Sequence, residues 1–268
     1  MSDTAPRTPV PPHPAATLIL LRDGPDGLEL LAIERHSGLR FAPGATVFPG
    51  GRLEAADHDP SWRGRWTGPK APADLAHRVA AVRECVEECG ILLSRDPVRA
   101  AALAGLRQAM AAGQGFGAAL APAGLAPALE RMAPLARWVT PENLPRRFDT
   151  LFFLAPAPSG QEPLCDGGEA VGALWATPRR LLEEEKAGRR RLVFATRMTL
   201  RRLAGCPDTA AAMDGAAACP TAIAGGGERL PAPILPRLVE TAAGPVWRIP
   251  AGCGFLPLET SAEDVRLG

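Results

Sequence analysis

The chain is short of the groups that most often announce a function. It has four histidines, and three of them, His13, His36 and His58, fall in tail or loop sequence, so they suggest no catalytic triad. Its six cysteines lack the paired spacing of a zinc site. Free thiols in a reducing cytoplasm are the expected state. The formal net charge of +1 gives no basis for a nucleic-acid or membrane partner. No apolar run approaches membrane-spanning length. Residues 1–14 are rich in proline and carry Asp3 where a leader would be basic, so they read as a flexible tail and not a signal peptide. The last residues, Val265-Arg266-Leu267-Gly268, are not a peroxisomal address. A cytoplasmic protein is expected, with homodimerisation left open. At 268 residues, one α/β domain with a self-sufficient core fits.

What the chain does have is Arg83-Glu84-Cys85-Val86-Glu87-Glu88-Cys89-Gly90-Ile91. It lies in a segment, 73–93, whose pattern predicts a helix. At about 100° per residue, Glu84, Glu87 and Glu88 share one narrow face. Val79, Val82, Val86, Cys89 and Leu93 form an apolar stripe opposite. Like charges so close repel each other, so the face is either well solvated or covered by a cation. Magnesium or manganese would suit, because both take carboxylate oxygens and leave positions for substrate phosphates. Upstream, Phe48-Pro49-Gly50-Gly51 ends a short β-rich stretch, and its glycines permit a bend and a close backbone approach.

Together these residues resemble the Nudix box, Gly-x5-Glu-x7-Arg-Glu-U-x-Glu-Glu-x-Gly-U, where U is a bulky apolar residue. Arg83, Glu84, Glu87, Glu88, Gly90 and Ile91 fall in register with its second half. Gly51 fits the first half, with Asp57 where the family has Glu. Residues 58–82 stand where the pattern allows seven, and Pro, Gly and Trp at 59–72 mark an inserted loop. The box is therefore read as split by an insertion at about 58–72. Arg40-x3-Gly44-x3-Phe48-Pro49-Gly50-Gly51 resembles the downstream half of a signature of coenzyme A-cleaving Nudix proteins. With residues 147–153, Glu169 and Trp175, the chain over 15–203 resembles the peroxisomal coenzyme A diphosphatase type and its bacterial relatives.

That resemblance implies an α/β (α+β) fold, a Nudix-type α/β/α sandwich around a mixed sheet. It implies metal-dependent hydrolysis of a nucleoside diphosphate derivative, with coenzyme A or an acyl-coenzyme A as the leading substrate. The alternatives are an ADP-ribose or nucleotide-sugar diphosphatase, and a non-catalytic nucleotide-binding module. By family position Glu84, Glu87 and Glu88 would hold Mg2+ or Mn2+, and Glu87 or Glu88 would orient or deprotonate water. Arg83 would tie down a neighbouring carboxylate or the glycine loop. Gly50, Gly51 and Arg40 would meet substrate. Glu169 would be an auxiliary acid or a turn residue. Asp57 would be a supporting contact or plain loop polarity, and Glu54 is a weaker candidate. His77 shares the Glu84 face but reads as exposed or packed on the insertion. Arg189-Arg190-Arg191, after three glutamates, reads as a solvated helix end with charge pairing.

Along the chain, residues 15–21 and 28–35 read as a hairpin around the turn 23–27. Strands are expected at 46–48, 138–141, 148–155, 169–175 and 246–249, and helices at 177–186 and 196–203. Residues 97–137 read as a helical insertion broken by Gly113, Gly115 and Gly117. The Nudix domain is placed at 15–204, and 205–268 is an extension, loosely packed, partner-facing or packed on the domain.

Overall fold

The structure is a computed structural model, and it describes residues 9–39, 42–165, 167–217, 219–223 and 229–261. It opens with β1 (His13–Gly24) and β2 (Gly27–Arg35), joined through Gly27 at φ 103. Short strands β3 (Thr46–Val47) and β4 (Gly50–Arg52) follow, then a one-turn helix α1 (Trp62–Arg65) and the long α2 (Leu75–Cys89). Two more helices, α3 (Ala100–Ala111) and α4 (Phe116–Leu120), precede strands β5 (Ala133–Val139), β6 (Phe148–Pro156) and β7 (Ala170–Ala176). Helices α5 (Pro178–Lys186), α6 (Phe194–Leu203) and α7 (Thr209–Ala217) complete the second layer. Then come β8 (Thr221–Ile223), β9 (Arg229–Pro231), β10 (Pro233–Ile234), β11 (Arg237–Thr241), β12 (Gly244–Arg248) and β13 (Glu259–Ser261).

The main sheet is mixed and runs β10-β5-β6-β1-β2-β3, with β4 also on β1 and β7 also on β2. β1 lies parallel to β6, and β10 parallel to β5; the other pairings are antiparallel. The run 15–21 is apolar almost throughout because both faces of β1 are covered. Ala16, Leu18 and Leu20 pack with Val79, Val82 and Val86 of α2. Ile19 and Leu21 pack with Leu181, Met198 and Leu200 on the other side. This is the α/β/α sandwich.

Helix α2 is buried nearly all round, because both insertions lie over it. Trp62 of the first stacks on Phe116 of the second, with ring centres 5.7 Å apart. Arg65 Nη2 donates to Gly117 O at 2.9 Å. An expected two-faced helix thus becomes a central one.

Several expected bounds shift. β1 begins two residues inside the tail segment, and Arg147 Nη1 donates to Val10 O at 2.7 Å. The helical insertion ends earlier than 137: β5 starts at Ala133, because Leu135 and Ala136 bury against β6 across a bulge at Pro134. Helix α5 starts as its sequence indicates, with Thr177 Oγ1 accepting from Arg180 N–H and Pro178 at its first position. The segment after 205 is packed against the rest: Ile234, Trp247, Ile249 and Phe255 belong to the second core, and β10 extends the main sheet. Among the described residues no helix is long and apolar enough to cross a membrane.

Candidate active site

Helix α2 brings its acids to the glycine strand. It ends at Gly90, whose φ of 69 is left-handed, and Gly90 N–H closes the helix on Val86 O at 3.0 Å. One turn earlier the acidic face lies against β4. A Cβ at Gly51 would stand 2.4 Å from the Glu84 carboxyl carbon, and one at Gly50 would stand 2.4 Å from Ala16 O. The two glycines therefore make room for Glu84 and for β1. Gly50 N–H donates to Glu88 Oε2 at 2.8 Å, and Gly50 and Gly51 pair with Thr17 and Ala16. The N–H of Gly50 is thus already given to a carboxylate.

Arg83 is the hub, with its side chain only 3 % exposed. Its Nε and Nη2 grip Asp57 at 3.1 and 3.0 Å, and Nη2 also donates to Arg52 O at 2.9 Å. Its Nη1 serves Glu84 at 2.9 Å and Glu87 at 3.0 Å. Burial works against this charge, but Asp57, Glu84 and Glu87 more than offset it and raise the Arg83 pKa. Arg83 touches carboxylates and backbone, so it positions. Asp57 is buried beneath it and also accepts Glu54 N–H at 2.8 Å, a supporting contact and not loop polarity.

One guanidinium does not balance this many acids. Burial lifts the Glu84 pKa to about 7, against the pull of Arg83. Burial also raises Glu87, and raises Glu88 well above the ordinary carboxylate range despite the Gly50 hydrogen bond. Glu88 is 2 % exposed, so the picture of a solvated acidic face does not hold for it. Its Oε1 is buried without a hydrogen bond and lies 3.5 Å from Arg35 Nη1. Glu87, with its side chain 41 % exposed, is the open member of the trio.

The acids line a cavity of about 1220 Å3 that also takes in Arg35, Arg52, Glu54, Arg83 and Glu169. It continues to the other side of the sheet, where Trp138, Phe148, Phe152 and Phe194 form an aromatic wall. Glu169 stands at its edge, just before β7, and its charge adds to the upward pressure on Glu84 and Glu88. Arg40 and Asp166 lie outside the described residues. His77 is not among the residues that line this cavity. Burial lowers its pKa against the pull of Asp74 and Asp149, and its Nδ1 is buried without a hydrogen bond. Arg190 pairs with Glu184, and Arg191 donates to Pro43 O at 3.2 Å. Arg35, Arg52 and the aromatic wall carry no motif of their own. Only the folding of β2, β4 and α6 around one space reveals them.

The family model of the NUDT19 Nudix domain matches residues 63–193. A solved NUDIX hydrolase from Alicyclobacillus acidocaldarius is 32% identical, covers 76% of this chain and 96% of its own, and superposes with a TM-score of 0.64. The chain belongs to the Nudix hydrolase family. The acyl-coenzyme A diphosphatase NUDT19 of Homo sapiens is 29% identical over 217 residues, 59% of this chain and 56% of that protein. Its Gallus gallus counterpart is 28% identical over 222 residues, 61% and 58%. The chain thus spans a little over half the length of these curated relatives.

The acids of this Nudix site suit a hard divalent ion. They are oxygen donors held out of water, their charged forms are disfavoured, and Glu88 Oε1 lacks a hydrogen bond. Among the described residues no three His, Cys, Asp or Glu side chains form a ready-made cage. The geometry gives the reason: Glu84 and Glu87 both turn to Arg83 Nη1.

Proposed function

We propose that this chain is a divalent-metal-dependent Nudix diphosphatase that cleaves coenzyme A or an acyl-coenzyme A. The products would be 3′,5′-ADP and (acyl-)4′-phosphopantetheine. The observation that carries the reading is the excess of buried carboxylate over cation at Glu84, Glu87 and Glu88, facing a cavity of about 1220 Å3. That volume slightly exceeds the range of about 300–1,000 Å3 usual for small-ligand sites, as a two-ended substrate requires. The acyl-coenzyme A diphosphatases among its relatives support the substrate class.

Glu84, Glu87 and Glu88 would hold Mg2+ or Mn2+. When bound, the ion supplies positive charge that offsets the negative charge of the diphosphate oxygens during attack. Water adds to one phosphorus, the P–O bond of the anhydride breaks, and the departing phosphate keeps the bonding electrons. The water proton passes to a carboxylate. Glu87, the exposed member, reaches solvent for this task, and Glu88 beside Gly50 is the second candidate. Arg83 keeps Glu84 and Glu87 in place through one nitrogen while Asp57 fixes its other side. Glu169 would approach the same space from the β7 side.

The test is a diphosphate panel of coenzyme A, acyl-coenzyme A, ADP-ribose and nucleotide sugars, with Mg2+ or Mn2+, read by mass spectrometry of the products. Release of 3′,5′-ADP and 4′-phosphopantetheine is expected. A folded protein that cleaves no member ends the reading. Cleavage confined to ADP-ribose or a sugar nucleotide reassigns the substrate.

A further inference from the structure

One rung of the main sheet runs through the cavity. Arg52 of β4 pairs with Ala15 of β1, Ala15 with Thr150 of β6, and Thr150 with Trp138 of β5. Residues directly opposite on neighbouring strands project to the same face. All four line the cavity. At about 4.8 Å between strands, the rung spans about 14 Å, the scale of one nucleotide. Its middle is a low floor of Ala15 and Thr150. Its far end is the Trp138 ring, which meets Phe194 edge-on with centres 5.7 Å apart. Its near end, Arg52, follows directly on the glycines that hold Glu84 and Glu88.

The charge distribution along this rung is uneven. Two of the arginines that line the cavity are committed, Arg83 to Glu54, Asp57, Glu84 and Glu87, and Arg35 to Glu88. Arg52, Arg107 and Arg146 also line the cavity, yet their side chains make no hydrogen bond or ion pair among the described residues; Arg107 of α3 lies by Gly90 at the end of the acidic helix, whereas Arg52 belongs to the rung. Arg146 stands just before β6, four residues ahead of Thr150. Its position is fixed by its neighbour, because Arg147 is buried and donates to Thr140 O at 3.0 Å and Val10 O at 2.7 Å. In a chain of net charge +1, the two uncommitted guanidinium groups of Arg52 and Arg146, on and beside this rung, call for an anion.

We propose that this rung is the nucleotide subsite, and that Arg52 and Arg146 bind a phosphomonoester on the ribose of the substrate. The base lies against Trp138 and Phe194, the ribose over Ala15 and Thr150, and the diphosphate leads past Arg52 to the acidic helix. Guanidinium groups suit this because their forked donors match phosphate oxygens. The substrate class is then nucleoside 3′,5′-bisphosphate derivatives, and an otherwise identical diphosphate without the ribose phosphate is disfavoured. This inference rests on the diphosphatase reading for the direction of the substrate, but its test does not need turnover.

The experiment measures binding of adenosine 3′,5′-bisphosphate and of AMP to the full chain by calorimetry at low ionic strength and without divalent ions. The wild type should hold the bisphosphate about tenfold more tightly, as one or two charge-assisted hydrogen bonds at an exposed site provide. In the Arg52→Gln/Arg146→Gln variant the ratio should fall to about one, and Arg201→Gln, on the exposed side of α6, should keep it. Equal affinities in the wild type, or an undiminished ratio in the double variant, would overturn the subsite. The diphosphate panel reads separately. Absent coenzyme A cleavage with the ratio intact removes the reaction and leaves the subsite. Coenzyme A cleavage with no ratio does the reverse.

Discussion

Helix α2 carries two buried arginine–carboxylate clusters, and they differ in balance. At its start, Arg78 meets one acid: Nε and Nη2 grip Asp74 at 2.8 and 3.1 Å. Its remaining donors go to Leu129 O and Met132 O at 2.9 and 2.6 Å, and its plane lies over Phe153. One cation, one anion and two carbonyls close the account, and the cluster fastens the insertion to the helix. Five residues on, Arg83 faces Asp57, Glu84 and Glu87, with Glu88 alongside. A buried charge is tolerable when it is paired and hydrogen-bonded. The first cluster satisfies that rule from within the chain. The second sets two guanidinium groups, Arg83 and Arg35, against Asp57, Glu84, Glu87 and Glu88, and that surplus of acid separates it from a strut.

The largest effect should fall on chemistry. Glu88→Gln keeps an oxygen for Gly50 N–H but removes the charge, so turnover should drop by about a hundredfold or more while circular dichroism stays unchanged. Retained activity would mean that the second cluster is as structural as the first. Next comes stability. Asp74→Ala strands Arg78 in the interior and should cost roughly 3–5 kcal/mol by urea unfolding. Glu87→Gln, at a half-exposed position, should move stability by less than about 1 kcal/mol. Equal losses would erase the distinction.

Divalent ions give a third measurement. Mg2+ or Mn2+ at about a hundred times its dissociation constant should add about 2.7 kcal/mol to unfolding. Glu84→Gln/Glu88→Gln should abolish that gain, and Asp74→Asn should preserve it. The smallest effect concerns two glycines. Gly90→Ala forces a side chain into a left-handed φ of 69 and should cost on the order of 1 kcal/mol. The three atoms nearest a Cβ at Gly51 all belong to the Glu84 carboxylate, the far end of a side chain. Gly51→Ala should spare thermal stability more than Gly90→Ala does, yet reduce turnover more.

The acidic helix, the Thr177–Pro178 start and the buried strand around Leu151–Leu154 were legible because each depends on local periodicity or local capping. The end of that helix at Gly90 was not, because the expected helix ran on to residue 93. The burial of Glu88 was not, since the insertions that cover α2 come from either side of it in the chain. The role of Gly50 and Gly51 was half legible: their smallness is in the sequence, but the carboxylates and the strand β1 that demand it are not. Arg35 and Phe194 stand near no motif, Arg52 and Arg146 stand beside motifs without belonging to them, and the four line one cavity only when β2, β4, β6 and α6 assemble. Whether the described residues after 205 pack on the domain stayed open in the sequence for a related reason. The apolar residues among them are sparse and widely spaced, and they fill gaps left by other elements.

The parallel pairing of β1 with β6 has a consequence for how the chain comes to its shape. His13 lies beside Phe148, and Leu21 beside Pro156. The floor of the cavity therefore cannot exist until most of the chain has been synthesised, because contacts between distant residues are the slow ones to form. A nascent chain that has made α2 holds its acidic face ready but has no β6 to set opposite. The cavity should thus form late, in the same step that seals the centre of the sheet.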